Sequence, residues 1–67
     1  MDHKKLCNKI KLARKALDLT QAALAERVQT RQKSISIYEN AVSLPSLKTL
    51  VKIAKALKKP TAHFIGE

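Results

Sequence analysis

The chain has 67 residues, with 14 Lys or Arg against 5 Asp or Glu, which gives a formal net charge of +9. A chain of this length predicts a single domain over residues 1–67, with a small core. The positive charge favours a polyanionic partner, either nucleic acid or an anionic membrane surface. The single cysteine, Cys7, excludes an internal disulfide. His3 and His63 have no Cys or carboxylate cluster beside them, so we expect no metal site.

The sequence shows neither export signals nor the motifs of common active sites. Its N-terminal residues lack the apolar segment of a signal peptide, and no apolar run approaches the roughly 20 residues that a membrane span requires. We therefore expect a cytoplasmic protein, an environment that also suits a single thiol. There is no Ser/His/Asp or Cys/His arrangement and no glycine-rich phosphate loop, and the acids are few for a paired-carboxylate site. We expect no enzymatic activity and no cofactor.

The scarcity of helix breakers predicts an all-α fold, because the sequence has only one Gly and two Pro, while 45% of its residues are hydrophobic. In the first predicted helix, about Lys4–Leu17, hydrophobic residues recur at helical spacing. The residues of this apolar face are Leu6, Ile10, Ala13 and Leu17. Thr20 is a suitable N-cap for a second helix over about 21–28, and the polar segment 29–31 leads into a third.

The third predicted helix spans about residues 31–39 and has two different sides. At 100° per residue, Ile35 and Tyr38 point one way and predict the core-facing side. The opposite side is a largely polar stripe of Gln32, Lys33, Ser36, Ile37 and Asn40. Such a stripe is either a binding surface or an ordinary solvated face with one exposed apolar residue.

A fourth, strongly amphipathic helix is predicted over about residues 47–57, after a loop at 41–45 and with Ser46 as its N-cap. Its apolar face consists of Leu47, Leu50, Ile53, Ala54 and Leu57. Pro60 suits the first turn of a short fifth helix that ends near Ile65. Phe64 and Ile65 either close the core or contact a second subunit. The shortness of this helix favours the subunit contact.

Several segments together resemble the Cro/phage-repressor (XRE) family of helix-turn-helix proteins. They are LTQAALAERV at 19–28, ISIYEN at 35–40, LPSLKTL at 44–50 and IAKAL at 53–57. The match extends from about Leu6 to Ile65. The resemblance implies a lambda-repressor-like domain of five short helices, with the helix-turn-helix at about 21–39. It also implies that the third helix contacts bases in the major groove of DNA.

The resemblance implies a role for individual residues of the third helix. Gln32 and Lys33 match base-contacting positions, and Ile37 matches a further position that faces the groove. Gln can pair with the edge of adenine, Lys can reach the acceptors of guanine, and Ile can pack against a thymine methyl group. Ser36 and Asn40 match the rim of the same surface.

Other positions match residues that contact the DNA backbone or hold the helices together. Gln21 matches a Gln that contacts a phosphate at the start of the second helix, where the helix N-terminus favours an anion. Arg31 replaces a small capping residue, so we expect Thr30 to cap the third helix and Arg31 to be available for a phosphate. Arg14 and Glu39 match an ion pair between the first and third helices.

The sequence departs from the family at three turns that commonly contain glycine. Asp18, Gln29 and Ala41 occupy these positions. If the turns keep a left-handed residue, Gln29 and Ala41 each cost about 1–2 kcal/mol. We also expect Cys7 to be buried or at an interface, and a redox role for it would require nearby lysines to lower the thiol pKa.

These observations predict a small transcription regulator that binds double-stranded DNA as a homodimer on a two-fold-related operator. Half-sites are expected about 10 bp apart, and repression is the simplest outcome. The alternative is an antitoxin or anti-regulator whose main partner is another protein. A peripheral membrane peptide is disfavoured, because the apolar faces complement one another across a folded core.

Overall fold

The computed structural model describes residues 3–65, which form five α-helices and no strand. The helices are α1 His3–Ala16, α2 Gln21–Val28, α3 Gln32–Glu39, α4 Leu47–Ala56 and α5 Thr61–Ile65. The predicted all-α architecture of five short helices is thus confirmed. Residues 1, 2, 66 and 67, which the predicted domain includes, lie outside the described residues. Within the described part of the chain, no helix is both long and apolar enough to cross a membrane.

The helices enclose one hydrophobic core. The second helix, α2, packs against α3 and α4, while α1 packs against α3 and α5. Leu24, Ile35 and Ile53 have no solvent exposure. The rest of the core consists of Leu6, Ile10, Ala13, Ala25, Val28, Leu50, Ala54, Leu57 and Phe64. This packing fixes α3 by its Ile35 side, since burial of such a side chain contributes about 1.5–3 kcal/mol.

Three apolar residues differ from their predicted environments. Leu17 is exposed because α1 ends at Ala16 and the chain then turns away at Asp18. Leu47 is 67% exposed, because it lies in the first turn of α4, where the described helices leave its apolar face uncovered. Phe64 is buried in the core of this chain and is not available to contact a second subunit. Its neighbour Ile65 is exposed.

Four helix ends are closed by non-glycine residues in the left-handed region. Their φ angles are 56° at Asp18, 61° at Gln29, 59° at Ala41 and 59° at Lys58. After Gln29, the amide of Thr30 donates to the carbonyl of Ala25 at 2.9 Å, which satisfies a carbonyl at the end of α2. The same bond pattern follows the other three left-handed residues. The chain therefore keeps the turns that glycine usually makes, despite the strain of a Cβ atom.

This strain can be tested at Gln29, whose side chain is exposed. We expect Gln29→Gly to raise the free energy of unfolding by about 0.5–1 kcal/mol, because relief of left-handed strain exceeds the added freedom of the unfolded chain. Lys52→Gly, in the middle of α4, is the control and should lower it by about 0.5–1 kcal/mol. Urea unfolding measures both. A loss of stability in both variants would show that the turn at Gln29 is unstrained.

The N-termini of the helices are capped differently. The Thr20 hydroxyl accepts a hydrogen bond from the Ala23 amide at 3.0 Å, and the Ser46 hydroxyl accepts one from Thr49 at 3.2 Å, as predicted. The N-cap of α3 is Arg31, with no side-chain capping bond, so the expectation that Thr30 caps this helix is wrong. Because the Thr30 amide closes the end of α2, the chain enters α3 one residue later.

Candidate nucleic-acid interface

The outer side of α3 is the candidate DNA-contacting surface. Ile35 is fully buried and Tyr38 packs against the core, so the opposite side of the helix faces solvent. Gln32 and Lys33, at the start of this side, are exposed, while Ser36 and Ile37 are half-buried. This surface is defined by Gln32, Lys33, Ser36, Ile37 and Asn40, and it is called the α3 surface below.

The two ends of the α3 surface have different geometry. At the N-terminal end, directly before the first turn of α3, Arg31 is exposed and its backbone is in an extended conformation. At the C-terminal end, the Asn40 side-chain amide donates to the Ser36 hydroxyl at 3.2 Å, and the Asn40 backbone amide donates to the Ser36 carbonyl. Asn40 is thereby held at the rim, whereas Arg31 makes no side-chain capping bond.

A buried ion pair fixes α3 to α1. The Arg14 Nε atom donates to Glu39 Oε2 at 2.6 Å, and its Nη2 donates to Oε1 at 3.1 Å. Each of the two residues is 8% exposed. The third nitrogen, Nη1, donates to the Leu19 carbonyl at 2.6 Å, which ties the segment before α2 to the same guanidinium. A bidentate ion pair of this kind fixes the orientation of the two side chains as well as the distance between them.

Gln21 joins this network from the start of α2. Its side-chain Nε2 donates to Glu39 Oε1 at 3.2 Å, so one carboxylate links α1, α2 and α3. The resemblance implies a phosphate contact for Gln21 and an ion pair for Glu39, but no contact between these two residues. Their contact depends on how α2 crosses α3, which no local pattern of residues encodes.

Cys7 lies on the buried side of α1 and is 2% exposed. Burial raises the pKa of its thiol, and a hydrogen bond with the Ala41 backbone opposes that rise only in part. The condition for a redox role, a thiol pKa lowered by nearby lysines, is therefore not met. The side chain packs as a small hydrophobic residue against the turn after α3.

Within residues 3–65, no group of three His, Cys, Asp or Glu side chains could hold a metal ion.

Comparison with known proteins places this geometry in a family. The helix-turn-helix family model matches residues 10–64. A crystal structure of the P22 c2 repressor in complex with a synthetic operator has a TM-score of 0.85 and 29% identity, over 88% of this chain and 89% of that one. The solution structure of the DNA-binding domain of the same repressor has a TM-score of 0.89 and 28% identity, over 97% and 86%. No curated protein matches.

The family match covers the buried ion pair, the α3 surface and the core residues from Ile10 to Phe64. The structural similarity extends over nearly the whole chain. Fold and sequence pattern thus agree with the resemblance seen in residues 19–28 and 35–40, and the chain belongs to the XRE-type helix-turn-helix family.

Proposed function

We propose that this protein is a transcription regulator that inserts α3 into the major groove of a specific DNA site. The observation that carries the proposal is the two-sidedness of α3: Ile35 is fully buried, while Gln32 and Lys33 on the other side are exposed. A helix held by one side and polar on the other fits the major groove, which admits an α-helix. The P22 c2 repressor, which has the same fold, is known in complex with an operator.

Base recognition is assigned to three residues of the α3 surface. Gln32 carries a side-chain amide that pairs with the donor and acceptor of adenine, and Lys33 donates to the acceptors of guanine. Ile37 is half-buried, so only part of its side chain is available for a thymine methyl group. These three residues set the preferred base sequence of the DNA site. Ser36 lies beside them at the edge of the α3 surface.

Backbone phosphates are assigned to residues at the N-terminus of α2 and at the two ends of α3. Gln21 uses one hydrogen of its Nε2 on Glu39 and keeps the second for a phosphate oxygen at the N-terminus of α2. Arg31 and Asn40 flank α3 at its two ends. Contacts of this kind fix the register of a protein on the duplex and supply most of its salt-dependent affinity.

The proposed regulator acts as a homodimer on an operator with two-fold symmetry, in the cytoplasm. Two copies of α3 would then enter successive major grooves, about one helical turn or 10 bp apart. Occupancy of a promoter by such a dimer excludes polymerase, so repression is the proposed outcome. The protein acts by binding rather than by catalysis. Selection of bound duplexes from a random pool gives the operator, and its symmetry tests the dimer.

The assignment of bases is tested with Gln32→Ala and Lys33→Ala. Each variant should lose about 1–3 kcal/mol of binding free energy, roughly 5- to 150-fold in affinity, and should lose discrimination at one base position. Gel shifts on the selected duplex and on its single-base variants measure both effects. Lys52→Ala, an exposed change on α4, should keep the base preference. Unchanged affinity and preference in the two α3 variants would refute base contact by this helix.

A further inference from the structure

An open groove of about 370 Å³ lies between the C-terminal end of α2 and the second half of α4. Its lining combines cations, one side-chain amide and apolar residues, and it consists of Arg27, Val28, Gln29, Lys52, Lys55 and Ala56. We refer to it as the α2–α4 groove. None of its residues belongs to the α3 surface, and none is assigned above to a base or a phosphate.

The α2–α4 groove is positively charged and has no counter-charge of its own. The side chains of Arg27, Lys52 and Lys55 are exposed, and none of the described residues that line the groove carries a carboxylate. Within residues 3–65, these three side chains form neither an ion pair nor a hydrogen bond. Three like charges around one concave surface repel one another, so an anionic partner would relieve that repulsion.

The floor of the groove is apolar. Val28 is buried in the core, and Ala56 is half-buried and packs against it, so that part of its side chain is accessible. At the end of α2, the exposed side-chain amide of Gln29 offers both a donor and an acceptor to a peptide group. An apolar floor within a polar rim is the arrangement of a protein–protein contact. The cations of this rim select a polypeptide that carries acidic side chains.

The position of the groove favours a protein over the duplex that α3 contacts. The second helix, α2, packs against both α3 and α4, but the groove is lined by α2 and α4 alone. The proposed phosphate contact of α2 is at its first residue, Gln21, whereas the groove begins at Arg27, about 9 Å further along the helix axis. A second copy of this chain is disfavoured as the occupant, because each copy has a net charge of +9.

We propose that the α2–α4 groove binds an acidic segment of a partner protein while α3 remains free to contact DNA. The Arg27 guanidinium can hold a carboxylate through two parallel hydrogen bonds. Lys52 and Lys55, three residues apart on one helix, lie close enough to attract further carboxylates. The groove would thus bring a second protein to the operator without displacing the regulator. That consequence rests on the proposed function, whereas binding of the acidic segment to the free protein does not.

The test uses a fluorescein-labelled peptide of alternating Glu and Ala, with a Gln and Ala peptide of the same length as the uncharged control. Lys52→Gln with Lys55→Gln removes two cations from the groove, and Lys5→Gln with Lys15→Gln removes two exposed cations from α1. Both variants lose two positive charges, so the long-range attraction to the peptide is matched. Fluorescence anisotropy measures the dissociation constant, and amide NMR shifts locate the peptide on the free protein and on its complex with a selected duplex.

We expect the groove variant to bind the acidic peptide about 5-fold more weakly, as the loss of two exposed ion pairs of ordinary strength predicts, and the α1 variant to change much less. Shifted amides should cluster around Arg27 and Lys52, with and without the duplex. Equal weakening in the two variants, or shifts spread over the whole surface, would overturn the groove as a site. Displacement of the peptide from the groove by the duplex would assign the groove to DNA and overturn the protein partner. Failure to bind any duplex would overturn the proposed function, and binding of the peptide to the free protein would still decide the groove.

Discussion

Glu39→Ala should lower the free energy of unfolding by about 3–5 kcal/mol, because it leaves the Arg14 guanidinium buried without its counter-charge. The Glu39 side chain is 1% exposed and that of Arg14 is 10% exposed, so the guanidinium has little contact with water to offset the lost carboxylate. Gln21 also loses its partner. A domain of this size has a total stability of roughly 3–10 kcal/mol. The loss is thus a large fraction of the total, and urea titrations followed by circular dichroism should show a much lower unfolding midpoint.

Two further variants isolate the ion pair from the loss of a side chain. Glu26→Ala removes an exposed acid from α2 and should change stability by no more than about 0.5 kcal/mol. Arg14→Met combined with Glu39→Leu replaces both charges by apolar side chains and should recover most of the loss, since removing a whole buried pair is often close to neutral. A cost below 1 kcal/mol for Glu39→Ala would show that the pair does not hold α1 to α3.

Phe64→Ala should cost about 3–5 kcal/mol of unfolding free energy, because it removes a large side chain from a filled interior. Phe64 is 2% exposed and carries most of what α5 contributes to the core. The end of α5 is also held to α1 by a bond from Lys9 Nζ to the His63 carbonyl at 3.1 Å. Thermal and urea unfolding should both show the loss.

The adjacent residue provides the matched control. Ile65 is 44% exposed, so Ile65→Ala should leave the stability of the dilute protein within about 0.5 kcal/mol of wild type. If Phe64 instead served a contact between subunits, its variant would lose stability only at protein concentrations where the wild type associates. A concentration-independent loss confined to Phe64→Ala is the expected result.

The helices could be predicted because their apolar spacing and N-caps are local properties of the sequence. Thr20 and Ser46 marked two helix starts correctly, and Ile35 marked the buried side of α3. The spacing alone could not reveal that α1 ends at Ala16 or that the other described helices leave the first turn of α4 uncovered. For this reason Leu17 and Leu47 were assigned to an apolar face that the fold leaves uncovered.

Features that depend on contacts between elements were not available from the sequence. The bond between Gln21 and Glu39 requires the crossing of α2 over α3, and the raised pKa of Cys7 results from burial that a count of nearby lysines cannot reveal. A concave surface between α1 and the turn at Ala41 likewise appears only when these two elements are placed side by side. The residues of the α3 surface, by contrast, follow from helical periodicity. Their roles at DNA come from the family resemblance and stay predictions.

The left-handed helix ends have a consequence for how the tolerance of this protein to mutation should be interpreted. Asp18, Gln29 and Lys58 are exposed, yet their left-handed backbone conformation disfavours residues with a Cβ atom, β-branched ones above all. A saturation library should find Gly, Asn and Asp enriched at these surface positions and β-branched residues depleted. A restricted choice of residues at these positions would result from backbone geometry. It should not be interpreted as evidence of contact with DNA or with another protein.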